Sequence, residues 1–178
     1  LNEIGSHAYH LATYMSGLKG NSVFADIKKL SSKIKMDVNA QVMINFSNGA
    51  QGMFWTNVIA KGGVYGLKIR IFGSKGSIEW IQNDPNYLKF NPAKGAVKLL
   101  ERGFYNAEFS KNFSRIKFGH PEGYLDAFAN IYKEFASSLK NKSKKKFYFP
   151  NEEDGFETAK FIDACKISSK SKKWQKIK

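Results

Sequence analysis

The sequence predicts an α+β fold, a two-layer sandwich in which a mostly antiparallel open sheet carries helices on one face. Two observations carry that expectation. Met36, Val38, Ala40, Val42, Ile44 and Phe46 alternate with mostly polar residues, the period of a long strand with one wet face. Helical spacing takes over in one early segment and two late ones, and helices there supply cover for the apolar face of the sheet.

The first helix is expected from Ser6 to Leu18, with Ser6 as its cap and Gly17 and Gly20 ending it. Its stripe runs through His7, Leu11, Tyr14 or Met15, and Leu18. Val23-Phe24-Ala25 reads as an extended piece. After the strand closing at Phe46, Ser47-Asn48-Gly49 forms a turn, because asparagine and glycine tolerate positive φ. The chain returns as Gly52 to Ile59, giving a hairpin whose outward residues Met43, Met53 and Trp55 are more apolar than a wet face requires.

Leu67, Ile69 and Ile71 alternate as a third strand, which turns at Gly73-Ser74-Lys75-Gly76 into Ser77–Ile81. Two glycines at that spacing also occur in phosphate cradles, but a cradle opens a helix and a strand follows here. Tyr87 to Phe90 and Val97 to Leu100 are short strand candidates. Gly103 to Gly119 shows no period and reads as a long loop, the kind of segment that often carries function. Within it, Arg115 suits either a hydroxyl-rich or anionic ligand or an ordinary surface.

His120-Pro121-Glu122-Gly123-Tyr124 leads into a helix. Its stripe of Leu125, Phe128, Ile131, Tyr132, Phe135 and Leu139 reads as core packing. The last helix opens at Asn151 through Asp154, with Asn151 as cap and Phe156, Ala159, Ile162 and Cys165 or Lys166 on its stripe. Cys165 is therefore expected to be buried and inert.

Composition narrows the function classes. A chain of 178 residues with 42% hydrophobic and 15% aromatic content is expected to fold around a core. One cysteine excludes an internal disulfide. No apolar run is long enough to span a bilayer and no signal peptide opens the chain, so no membrane partner and a cytoplasmic location are expected. The net charge of +14 raises nucleic acid as a partner. Much of the lysine, however, lies in the runs Lys140 to Lys146 and Lys166 to Lys178, and arginine is confined to Arg70, Arg102 and Arg115. Base and phosphate readers lean on arginine forks, so the lysines read as solvated surface and no nucleic acid is expected. The histidines and the cysteine are scattered and form no closed metal-ligand set.

Glu3 and His7 stand four residues apart, one helical turn, so both side chains share a face. An imidazole beside a carboxylate suits acid–base work near neutral pH. The same pair also reads as a plain helix start with a partly buried histidine. The longer stretch Glu3-Ile4-Gly5-Ser6-His7-Ala8-Tyr9-His10-Leu11-Ala12 resembles the opening of the C-terminal domain of the Gfo/Idh/MocA oxidoreductases, NAD- or NADP-dependent dehydrogenases of sugars, inositols and related polyols. Phe46-Ser47-Asn48-Gly49, Gly73-Ser74-Lys75-Gly76, the run from His120 to Tyr124 and the helix after Asp154-Gly155 resemble further family elements, so the likeness covers nearly the whole chain.

That resemblance implies catalytic roles for His7 and for Glu3, which stands where the family usually has aspartate. His10, Arg115, His120 and Tyr124 complete the expected substrate-binding set. It implies NAD or NADP in the full-length protein and none in this fragment. The chain has no glycine-x-glycine-x-x-glycine run between a strand and a helix, and no glutamate-lysine-proline motif, whose lysine contacts the substrate hydroxyl in the family. Residues 1–178 are thus expected to be the substrate-binding and oligomerisation domain, inactive without a Rossmann half upstream. The expected partners are a small sugar or polyol and further copies of the chain, joined through the open sheet face. A non-catalytic sugar-binding or regulatory module of the same fold is the rival expectation.

Overall fold

The computed structural model describes residues 1–63, 66–103, 108–140 and 147–178. Its elements run α1 (Ile4–Ser16), β1 (Gly20–Lys28), β2 (Asn39–Phe46), β3 (Gln51–Asn57), β4 (Lys68–Gly73), β5 (Gly76–Ile81), β6 (Tyr87–Pro92), β7 (Lys98–Glu101), α2 (Glu108–Phe113), α3 (Tyr124–Lys140), α4 (Glu152–Ser171) and β8 (Gln175–Lys176). The fold is α+β and antiparallel. Its strands divide between two four-stranded open sheets, ordered β3-β2-β1-β8 and β4-β5-β6-β7. Two compact units result, one of Leu1–Gly63 with Pro150–Lys178 and one of Val64–Phe149.

In the first unit the alternation behaves as the strand period requires. Ala40, Val42, Ile44 and Phe46 of β2 turn inward beside Val23 and Ala25 of β1. Val23-Phe24-Ala25 is more than an extended piece: it is the middle of β1, an interior strand between β2 and β8. The β2–β3 hairpin closes at Gly49, whose φ of 86° favours a residue without Cβ. Tyr9 of α1 and Phe161, Ala164 and Cys165 of α4 complete the core over the inward face. The Tyr9 and Phe161 rings stack with centroids 4.1 Å apart, and Phe54 meets Phe161 edge-on at 5.7 Å. On the outward face Met43 pairs with Met53, and Gln41 with Trp55. Met53 and Trp55 are 82% and 65% exposed, so the faces are as the sequence implied.

Both helices of this unit differ from their expected stripes. Ser6 does not cap α1. It lies inside the first turn, and its hydroxyl donates to the Glu3 carbonyl at 2.7 Å instead of accepting from a helix N–H. The buried residues of α1 are Gly5 and Tyr9, whereas His7, Tyr14 and Met15 are exposed. The large Tyr9 ring against Phe161 sets the rotation of the helix. In α4 the buried stripe is Phe161, Ala164, Cys165 and Ser168, with Phe156 exposed. Asn151 caps α4 as expected, in a reciprocal capping box with Asp154. The C-terminal end of α4 also closes part of the β1 edge: the N–H groups of Ala25 and Ile27 donate to the hydroxyls of Ser168 (3.0 Å) and Ser169 (2.9 Å).

In the second unit, Gly73 and Gly76 close the β4–β5 hairpin, a strand-to-strand turn and not the helix-opening loop of a phosphate cradle. Gly76 has a φ of 141°, and a side chain there would collide with the Asn91 carbonyl. The Glu79 carboxylate lies 2.9 Å from Arg70 Nε and 3.2 Å from Lys68 Nζ across that hairpin. The segment read as one long loop contains the short helix α2. Residues 104–107 of that segment, and 141–146 of the first lysine run, lie outside the described residues. The stripe of α3 does not pack in a core. No residue of α3 is buried, and Leu125 and Tyr132 stand 80% and 68% exposed. Periodicity establishes an apolar face without establishing what lies against it.

Candidate functional site

Two constellations stand out, one in each unit. In the first unit, successive steps of four and three residues put Glu3, His7 and His10 on one face of α1. Glu3 takes helical backbone angles (φ −78°, ψ −63°), so the row begins at the very start of the helix. Glu3 and His7 are exposed and His10 is half-buried, its ring 6.2 Å from that of Tyr14. Among the described residues no hydrogen bond or ion pair joins the Glu3 carboxylate to the His7 imidazole. Both heads are presented outward, where a group from outside the unit can meet them.

Tyr9 anchors the opposite face of the same helix. Burial pushes its hydroxyl above the usual tyrosine range, partly offset by a hydrogen bond with the Gly20 backbone. Tyr9 therefore stays protonated and structural, and it holds the histidine row outward.

In the second unit three residues distant in sequence meet. Asn86 lies in the β5–β6 turn, Arg102 just beyond β7, and Glu122 two residues before α3. Asn86 Nδ2 donates to the Glu122 carbonyl at 2.9 Å, and Asn86 Oδ1 accepts from the Glu122 N–H at 2.9 Å and from Arg102 Nε at 3.1 Å. Arg102 donates further to Ser114 Oγ at 3.0 Å and to the His120 carbonyl, and its Nη1 lies 3.4 Å from Glu122 Oε2. Glu122 Oε1 accepts the N–H groups of Arg115 and Ile116. Beside this network lies a depression of about 190 Å³ lined by Asp84, Tyr87, Glu101, Arg102 and His120. It is smaller than the roughly 300–1,000 Å³ of ordinary ligand clefts and does not make a complete site alone.

The expected site residues thus fall into two groups. Glu3, His7 and His10 share a helix face in one unit, and Arg115, His120 and Tyr124 belong to the loop and helix start of the other. Arg115 reaches Asn130 Oδ1 at 3.5 Å. His120 Nδ1 lies 3.2 Å from the Lys117 carbonyl, and Tyr124 is exposed with its ring 4.8 Å from that of Phe128. Asn86, Arg102 and Glu122 were not singled out by sequence reasoning. Glu122 sits inside the quoted His120–Tyr124 run, but no spacing rule links residues that are 16 and 36 positions apart.

Neither constellation fits a dinucleotide or a metal. The sheets of both units are antiparallel, and no described loop offers the glycine-rich strand-to-helix turn that seats a pyrophosphate. Among the described residues no group of three or more His, Cys, Asp or Glu side chains is placed to hold a metal ion. No helix among them is long and apolar enough to cross a membrane.

Known proteins bear on these two constellations. The family model for the Gfo/Idh/MocA C-terminal domain matches residues 1–79, the part that holds α1. The uncharacterized oxidoreductase YfiI of Bacillus subtilis (strain 168) is 30% identical over 174 residues, covering 93% of this chain and 44% of that protein. An oxidoreductase from Sinorhizobium meliloti superposes with a TM-score of 0.92 at 39% identity, over 97% of this chain and 50% of the other. An inositol dehydrogenase homologue from Azotobacter vinelandii, solved with NADH and myo-inositol, superposes with a TM-score of 0.89 at 27% identity, over 98% of this chain and 48% of the other. The chain spans about half the length of these relatives.

Proposed function

This chain carries a Gfo/Idh/MocA C-terminal domain over residues 1–79, and from that premise we propose that it is the substrate-side domain of an NAD- or NADP-dependent dehydrogenase of a sugar, inositol or related polyol. The observation that carries the proposal is the outward row of Glu3, His7 and His10, which lies within the residues the family model matches. The inositol dehydrogenase homologue supports a polyol as substrate class.

Oxidation of an alcohol carbon to a carbonyl releases a hydride and a proton. In the whole protein a nicotinamide, held by a Rossmann half outside residues 1–178, would supply the hydride acceptor. His7 receives or relays the hydroxyl proton, and Glu3 orients the imidazole or holds a neighbouring hydroxyl. His10 borders them on the same helix face, while Arg115, His120 and Tyr124 bind hydroxyls of the substrate. The outward sheet face of Met43, Met53 and Trp55 joins copies of the chain. The domain alone is expected to bind neither NAD nor NADP and to turn over no substrate, since residues 1–178 lack the glycine-rich run that seats a pyrophosphate.

One observation favours a second reading. Glu3 stands where the family usually has aspartate, which leaves room for a non-catalytic sugar-binding or regulatory module. An assay of the parent protein on a panel of sugars and inositols, with NAD and with NADP, separates the two. The dehydrogenase reading expects nicotinamide reduction with at least one polyol. Binding of a sugar with no reduction by either nucleotide supports the module.

A further inference from the structure

Between Phe113 and Tyr124 the chain forms neither helix nor strand, and this is the segment that carries Arg115 and His120. Among the described residues its backbone–backbone hydrogen bonds are the His120 N–H to the Lys117 carbonyl at a long 3.3 Å and, at its end, the Ala127 N–H to the Gly123 carbonyl at 3.1 Å. Side chains outside the segment, or at its end, fix it instead. Glu122 holds the Arg115 and Ile116 amides, and Arg102 holds Ser114 and the His120 carbonyl. Asn86 then ties Arg102 and Glu122 to each other.

The Glu122 side chain is only 9% exposed and that of Arg102 17%. Charges so sheltered are costly unless their hydrogen-bonding capacity is met, and here every contact named falls on the loop or on Asn86. Bonds from a charged partner are about twice as strong as neutral ones, so the loop is held by its strongest available contacts. This charge is spent on the geometry of one surface segment and not on joining the strands of the sheet.

We propose that Asn86, Arg102 and Glu122 are positioning residues: a half-buried clamp that sets where Arg115 and His120 are presented to the sugar or polyol. The proposal rests on the functional reading above, in which this loop faces the substrate. None of the three touches the reacting atoms. Their effect is on substrate placement, where a misplacement of about 1 Å is enough to cost on the order of 100-fold.

The test uses the full-length parent with Glu122→Ala, Glu122→Gln and Arg102→Lys. Glutamine keeps one oxygen for the two amides, and lysine keeps the charge but loses the fork. Hydrogen exchange of peptides spanning 113–118 is measured alongside steady-state kinetics. For Glu122→Ala the clamp predicts exchange faster by about tenfold or more, and a KM for the polyol raised about tenfold with kcat and the nucleotide KM within about threefold. Glu122→Gln restores most of both, and Arg102→Lys shows the same pattern more weakly. Should Glu122→Ala fail to fold, Arg102→Lys decides alone.

Unchanged exchange overturns the clamp. Faster exchange with an unchanged polyol KM overturns its role in positioning, as does a glutamine variant no better than alanine. A parent with no polyol turnover in any form sinks the functional reading instead, and the exchange data then still decide whether the clamp fixes the loop.

Discussion

His7 and Glu3 share a helix face for a reason visible in the sequence, since four residues make just over one turn. Their exposure was not visible, because it depends on Tyr9 taking the buried side of α1, and Tyr9 won that side through a ring stack with Phe161, 152 positions away. The burial of Cys165 was legible. Desolvation pushes its thiol up to about 12, and only the thiolate is nucleophilic, so native protein resists thiol reagents. Labelling at pH 8 is expected to await denaturant. Complete labelling of folded protein within minutes would contradict a core position for Cys165.

At the scale of elements, the hairpin of β2 and β3 was legible because period and turn residues agree: alternation gives the faces and Asn48-Gly49 gives the turn. The stripe of α4 was misread because Phe156, the first large apolar residue, lies on its exposed side. Ser168 was missed because a serine in a helix gives no signal of partnership with a strand. It is fully buried, accepts the Ala25 N–H and donates to the Lys173 carbonyl at 2.7 Å. Ser168→Ala leaves the Ala25 amide without that partner, at a cost of roughly 1–3 kcal/mol. A thermal melt lowered by several degrees is expected, and an unchanged midpoint would show that β1 does not depend on the end of α4. The apolar face of α3 belongs with these cases, since its periodicity was correct and its expected core packing was not.

The whole molecule presents Met43, Met53 and Trp55 together on one sheet face. Phe24 extends the row, pairing with Met43 across β1 and β2, and its ring lies 6.0 Å from that of Trp174. A patch of this kind is unfavourable in water, and a two-fold pair of copies hides it while leaving no open surface to add further chains. Sedimentation is expected to show a dimer or larger, and Met53→Lys is expected to shift it toward monomer. A wild-type monomer persisting at high micromolar concentration would remove the sheet face as an interface. The division of strands between two sheets was not legible, because alternation marks a strand without naming its neighbours, and the pairing of β1 with β8 joins segments more than 150 residues apart.

The account turns on His7 as a group that handles the substrate proton, and steady-state kinetics of the parent protein with His7→Ala tests it most directly. The account predicts a fold and nucleotide affinity like those of the parent, with turnover of the preferred polyol lowered by about 100-fold or more. A variant whose kcat stays within about threefold of the parent, with or without a lower melting temperature, would contradict it and leave His7 a structural residue of α1.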